Sequence, residues 1–306
     1  MRIKPGRPDL AKYADRFGVP AANGDFGVTF LGVSTLLLHD GDSAVMTDGF
    51  FSRPSLLKVG LGKIGPDDAR ITAALSRIST TRLDGVLPVH THFDHAMDSA
   101  VVAERTGALL FGGESAASIG RGAGLPEERL RVVRSGDTVG LGAFEVTWVQ
   151  SDHCPPDRYP GDITHPVVPP ARAATYRCGE AWSLLVGHGS GRTALIQGSA
   201  GYVPGALAGR RADVAYLGVG QLGVQDEEYI RAYWAETVQA TGASVVVLIH
   251  WDDFFRPLDA PLRALPYAGD DLTVTMSVLE ELAAHQEVTL LLPTVWRRED
   301  PWALIR

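Results

Sequence analysis

The chain has 306 residues, with 28 Lys or Arg against 36 Asp or Glu, a formal net charge of −8. Phosphate backbones are held by a cationic footprint, so this balance argues against a nucleic-acid binder working through bulk charge. Hydrophobic residues at 45% and charged residues at 21% are ordinary globular values and exclude disorder over most of the length.

The start, MRIKPGRPDL, carries charge with no apolar stretch behind it, unlike a secretory leader. No later run reaches the roughly 18 apolar residues of a membrane helix, so the expectation is a cytoplasmic protein without a transmembrane segment. From Gly27 to Gly49 the runs VTFLG, STLLLHD and AVMTDG have strand length, the last two joined by a turn at Asp40-Gly41-Asp42. Pro66 to Ile78 reads as a helix with Ile71, Leu75 and Ile78 on one side. LDGVLPV leads as a strand into His90, although Pro88 removes a ladder donor there. Met97, Ala100 and Val101 mark a helix behind the histidine, and ALLFGG is a further strand. RVV and FEVTWVQ are two more, separated by the Gly-rich SGDTVGLG.

Residues 154–180 hold six prolines and no period, which predicts a long ordered loop of the functional kind. WSLLVGHGSGRTALIQG reads as a hairpin turning at Gly189-Ser190-Gly191, and ADVAYLGVG as a strand. Ile230, Tyr233, Trp234, Thr237 and Val238 mark an amphipathic helix, and SVVVLIH a buried strand. Residues 271–285 form a final helix and VTLLLP a last strand. Strands dominate, and each half ends on a helix–strand unit. This predicts one domain over residues 1–306, α/β in class, with two β-sheets and outer helices.

The chemistry concentrates in His90-Thr91-His92-Phe93-Asp94-His95, four metal-competent side chains in six residues at the end of an apolar run. On an extended strand end His90 and His92 point to the same side. Once the chain turns into a helix, Asp94 and His95 are free to face a second ion. Imidazoles with one carboxylate suit zinc or iron at a hydrolytic site. A cluster of polar groups beside an apolar strand is costly without such a partner. His153 and His250 each end a strand-like run and call for a partner too. Of the two cysteines, Cys154 reads as structural or a bystander, and Cys178 likewise belongs to no motif.

The order of these motifs resembles the metallo-β-lactamase-fold superfamily, an αββα sandwich of two mixed sheets whose ligands come from loops along one edge. Asp48 follows AVMT where that family has an aspartate, and the lone histidine of Ser151-Asp152-His153 follows the main motif. Gly198-Ser199-Ala200-Gly201-Tyr202 is similar to the Gly-Asp-Thr-Gly-Tyr turn of the group containing L-ascorbate-6-phosphate lactonase and N-acylphosphatidylethanolamine phospholipase D. His250-Trp251-Asp252-Asp253-Phe254 is similar to the His-Trp-x-x-Phe of the latter.

The resemblance implies that His90, His92 and His153 hold one ion and Asp94, His95 and His250 another. Ser199 departs from it, standing where those relatives carry a bridging aspartate. The expectation is therefore a dinuclear centre with a labile second metal, a mononuclear enzyme being the main rival. Zinc is expected, one or two ions per chain, although the same donors accept Mn2+ or Fe2+. Metal-bound hydroxide would be the nucleophile, with Asp94 orienting it and carrying its proton. Loss of the bridging aspartate tilts the expected substrate towards a carbonyl-centred bond (lactone, ester or amide) of a small molecule. A phosphodiesterase of phospholipase D type and a non-catalytic metal-binding scaffold are the alternatives. A redox role is disfavoured, because diiron flavoprotein relatives have a glutamate where this chain has His92.

Asp48 is expected to hydrogen-bond the motif backbone or a ligand imidazole, and Tyr202 to make a polar contact near the metals. Phe50, Phe51, Tyr202, Trp251, Phe254 and Phe255 are candidates for an aromatic wall, about half of them core. Arg158, Arg172 and Arg177 in the long loop would suit an anionic substrate group. His165 could face the mouth of the site. His39 and His188 read as exposed turn residues, and His285 as a helix C-terminal histidine. Oligomeric state is left open.

Overall fold

The computed structural model describes residues 4–80 and 82–305, so the reading of the chain start lies partly outside them. The first strands are β1 (Gly27–Phe30), β2 (Leu36–His39) and β3 (Ala44–Thr47), followed by helices α1 (Leu56–Leu61) and α2 (Asp68–Arg77). Then come β4 (Gly85–Leu87), α3 (Phe93–Ala96), α4 (Ser99–Thr106), β5 (Leu109–Gly112), α5 (Glu114–Gly122) and β6 (Leu130–Val132). Strands β7 (Thr138–Leu141), β8 (Phe144–Ser151), β9 (Ala181–His188), β10 (Thr193–Gln197) and β11 (Val214–Gly218) follow. The chain closes with α6 (Glu227–Trp234), β12 (Val245–Ile249), α7 (Leu272–His285), β13 (Thr289–Leu291) and β14 (Arg298–Glu299).

These strands form two seven-stranded sheets, ordered β14-β1-β2-β3-β4-β5-β6 and β13-β12-β11-β10-β9-β8-β7. The sheets repeat one plan. Each has three antiparallel pairings on one side and three parallel pairings on the other. The parallel strands β11 and β12 are buried along their whole length, as their unbroken apolar sequence requires. Strand β8 is longer and partly alternates, so only part of it faces the core. The sheets meet face to face: Trp148 of β8 stacks on Phe111 of β5, ring centroids 5.5 Å apart. At the starts of α2, α6 and α7 the side chains of Asp67, Asp226 and Asp271 accept orphan backbone N–H groups, from Arg70, Tyr229 and Thr273 respectively.

The structure adds four elements the sequence does not announce. Strand β7 lies inside SGDTVGLG, whose glycines mask a pairing made against β8. Helix α5 is short and rich in small residues, and six of its residues are buried. Its first N–H groups are capped by a residue far away in sequence, as Glu180 accepts from Glu114 (2.8 Å) and Ser115 (3.2 Å). Helix α1 and the two-residue β14 carry no pattern at all. Pro88 removes no ladder bond, because β4 ends at Leu87. His188, expected to be exposed, is instead largely buried between the rings of Phe26 and Phe144, and its Nε2 lies 2.9 Å from Asp40 Oδ2. The hairpin turn packs onto the first sheet, which removes this imidazole from solvent. His39 is likewise half-buried, whereas His285 is exposed at the end of α7. Among the described residues no helix is long and apolar enough to cross a membrane.

Candidate metal centre

Four loops, each beginning at a strand end, meet at one edge of the two sheets. The loop after β4 carries His90 and His92 and runs into α3 with Asp94 and His95. The loop after β8 carries His153, the loop after β10 carries Ser199, and the loop after β12 carries His250. Two trios result. One ring nitrogen each from His90, His92 and His153 lie within 4.8 Å of one another, and so do ligand atoms of Asp94, His95 and His250. The trios adjoin, with the His90 and His95 rings only 3.8 Å apart between centroids.

The second trio rests on a buried frame. Asp48 Oδ1 accepts the N–H of Val89 (2.9 Å), while Oδ2 accepts from Ser34 Oγ (2.7 Å) and from His95 Nδ1 (2.9 Å). His95 Nε2 is thereby turned inwards, 3.2 Å from His250 Nε2 and 3.7 Å from Asp94 Oδ2. His250 is fixed through its backbone, whose N–H donates to the Val33 carbonyl at 2.7 Å. Asp252 accepts the N–H of Val33 (2.8 Å) and forms a fully buried ion pair with Arg53. Val33, Asp48 and His250 all hold positive φ, at 53°, 54° and 60°. Such strain outside glycine persists only where surrounding contacts enforce it, and it concentrates at functional sites.

Burial and, after it, the neighbouring imidazoles hold His90 and His95 well below the ordinary histidine range. The same causes bring His153 down to about 4. These rings are therefore neutral near pH 7, the form that donates a lone pair to a metal. His153 Nδ1 lies 2.7 Å from the carbonyl of Cys154 and donates its proton there, leaving Nε2 free. Burial pushes Asp48 well above the usual carboxylate range, against the hydrogen bonds from Val89 and Ser34.

The donor set fits a divalent metal. His90 is buried with neither ring nitrogen partnered among the described residues. An unpaired buried polar group costs about 1–3 kcal/mol, so an imidazole kept in this way needs a further partner. The imidazole–carboxylate mixture suits zinc or iron.

The other residues singled out from sequence divide. Asp48 makes both expected bonds, to the motif backbone at Val89 and to the His95 imidazole. Ser199 Oγ instead accepts the N–H of Cys154 at 3.0 Å and so pins the loop that carries His153. Tyr202 lines a cavity of about 990 Å³ together with Tyr229, Trp182 and His153. Phe50, Phe51 and Trp251 are buried in the core, and Phe254 sets its edge against His250 at 5.7 Å. Arg158, Arg172, Arg177 and His165 are exposed. Cys154 is buried in the core, its thiol pushed up to about 12 by burial.

Asp157, which no sequence pattern marks, and Cys178, which belongs to no motif, also reach the site: their ligand atoms lie within 4.8 Å of His92 and of each other. Cys178 thus stands beside the site, although burial holds its thiol well above the ordinary range. The Pro-rich stretch is an ordered loop, as expected, but no spacing within it announces which residue turns inwards.

No protein-family model matches the chain. A curated UPF0173 metal-dependent hydrolase from Rhizobium leguminosarum bv. trifolii is 27% identical over 126 residues, covering 41% of this chain and 47% of the relative. The match thus spans about half the relative's length. Among solved structures, the metallo hydrolase Igni18 from Ignicoccus hospitalis aligns at TM-score 0.52 and 14% identity, over 90% of this chain and 96% of that one. An isothiocyanate hydrolase from Delia radicum gut bacteria aligns at 0.52 and 16%, over 87% and 96%. The diiron β-hydroxylase CmlA from Streptomyces venezuelae aligns at 0.53 and 14%, over 94% of this chain and 59% of its own. At these identities the likeness to solved structures shows the fold alone.

Proposed function

With the αββα metallo-β-lactamase fold as scaffold, we propose that the chain is a metal-dependent hydrolase cleaving a carbonyl-centred bond (lactone, ester or amide) of a small molecule. The observation that carries this reading is the convergence of two donor trios around His90, whose buried nitrogens have no other partner among the described residues. The curated relative, named a metal-dependent hydrolase, supports it. Zinc is the metal the donor chemistry favours; manganese and iron suit the same donors.

A bound divalent ion supplies Lewis acidity, activating water and polarising the scissile oxygen. The chain's residues do the rest. His90, His92 and His153 would hold one ion, and Asp94, His95 and His250 the other. Asp48 keeps the proton of His95 on Nδ1 so that Nε2 offers its lone pair. Asp94 has a carboxylate oxygen within 3.7 Å of both His95 and His250, placed to orient the attacking water and accept its proton. Tyr202 and Tyr229 form part of the wall against which the substrate packs.

Two features weigh against a phosphodiester. Ser199 removes the bridging carboxylate of the phosphodiesterase relatives. Among the described residues the cavity wall carries Glu114, Asp152, Asp157, Asp162 and Glu180 against one guanidinium, Arg134, so away from the metal positions it offers an anionic group little to pair with. The test is a panel of lactones, p-nitrophenyl esters and bis-p-nitrophenyl phosphate on metal-loaded protein, before and after chelation. Turnover of the carbonyl substrates that disappears with the metal is expected. Turnover of the phosphodiester alone establishes the phosphodiesterase instead, and bound metal with no turnover of any class the scaffold.

A further inference from the structure

We propose that Asp157, on the proline-rich loop, is a positioning residue that fixes His92 and ties this loop to the tri-histidine side of the centre. The inference rests on the hydrolase reading above. His92 Nε2 lies 3.2 Å from Asp157 Oδ1 and 3.4 Å from the carbonyl oxygen of Tyr159. A ring nitrogen facing two acceptors carries the proton. Nδ1 is then the nitrogen with a free lone pair for the group shared with His90 and His153. Asp157 thus does from the loop what Asp48 does from the core: each carboxylate sets the tautomer of one imidazole, one in each trio.

The loop is built to hold this position. Asp157 Oδ1 also accepts the N–H of Tyr159 at 2.9 Å, which turns the carboxylate back over its own segment. The Tyr159 carbonyl accepts the N–H of Cys178 (2.9 Å), and the Cys178 carbonyl accepts the N–H of Thr91 (2.8 Å). Thr91 Oγ1 donates to the Arg177 carbonyl at 2.6 Å. Thr91 stands between His90 and His92, so both ends of the loop are stitched to the motif itself. Asp157 also lines the cavity beside His153, so an occupant of the cavity meets the carboxylate that orients His92.

The experiment titrates metal-free protein with cobalt(II) against a chromophoric chelator and records the visible d–d spectrum. Asp157→Ala is expected to weaken binding at the tri-histidine position by about 10–100-fold, the usual effect of removing such an outer carboxylate, and to shift the spectrum. Asp157→Asn, whose amide oxygen accepts the same bond, is expected to restore most of the affinity. In a His92→Ala background, Asp157→Ala is expected to add nothing. The melting temperature of the metal-free variants reports the fold, and Asp157→Leu, which keeps bulk without an acceptor, repeats the test should the alanine variant not fold. Wild-type affinity and spectrum in Asp157→Ala overturn the proposal, as does an equal loss in the His92→Ala background. Wild-type protein that takes up no cobalt overturns the hydrolase reading and this one together; loss confined to the variants separates the two.

Discussion

The two trios are held by different kinds of structure. Asp94, His95 and His250 sit in a frame of buried groups contributed by both sheets: Asp48, Ser34, and the Arg53–Asp252 pair beneath the His250 loop. His90, His92 and His153 lean on a surface loop, through Asp157 at one ring and the Cys154 carbonyl at another. By the resemblance, Ser199 in place of a bridging aspartate would make the Asp–His–His position the weaker of the two. The frame acts the other way, since ligands already locked in place lose less freedom when an ion arrives. A missing ligand and a rigid support are separate quantities, and only the first is written in a motif.

The comparison can be broken most forcefully at Arg53. Arg53→Met leaves Asp252 buried without its partner, and a loss of about 3–5 kcal/mol in denaturant unfolding is expected. Replacing both partners with apolar residues is expected to recover most of it. The next effect is at Asp48→Ala, which strands three buried donors. Metal-free stability should fall on the order of 3 kcal/mol, and affinity at the Asp–His–His position about 10–100-fold, by denaturation and metal titration. Asp157→Ala, on the loop side, should change affinity with little change in metal-free stability. Equal stability losses for the two would erase the distinction drawn here.

A pH measurement sharpens the same frame. Gly220 packs so closely on His250 that an added Cβ would come within 2.7 Å of Nδ1, and the following Gly223 donates its N–H to Asp270 at 3.0 Å. Burial raises Asp270 from 3.8 to about 7. Between those values the folded chain binds the extra proton, so this contribution is complete below pH 3.8 and lost as pH rises through about 7. Asp270→Asn cannot ionise and should gain on the wild type as pH rises, with a slope of up to about 1.4 kcal/mol per pH unit in denaturation series. A flat difference between the two proteins contradicts the assignment. The smallest effect is expected at Ser199→Ala, which leaves the Cys154 N–H unpaired at a cost of about 1 kcal/mol in the same assay.

How much of this was legible depends on where the interacting residues lie. His90 to His95 stand together in the chain, and His153 and His250 each end an apolar strand, so period and contiguity expose them. Asp48 is visible by its place after β3. The two-sheet architecture follows from strand-length runs, most of which the structure returns. Asp157, Cys178 and Ser34 carry no such mark, because they reach the site through loop paths set by hydrogen bonds to distant backbone. Helix α5 was hidden for the same reason: its cap, Glu180, lies across the fold. Strand β7 was hidden by glycines that pair without any side-chain alternation.

The central claim is that the two trios bind metal. Elemental analysis of the purified chain, with an anomalous difference map from its crystals, tests this directly. Metal is expected in the crystal, with one peak among His90, His92 and His153 and a second among Asp94, His95 and His250. A folded protein that holds no metal at either position, even after incubation with zinc, would contradict it.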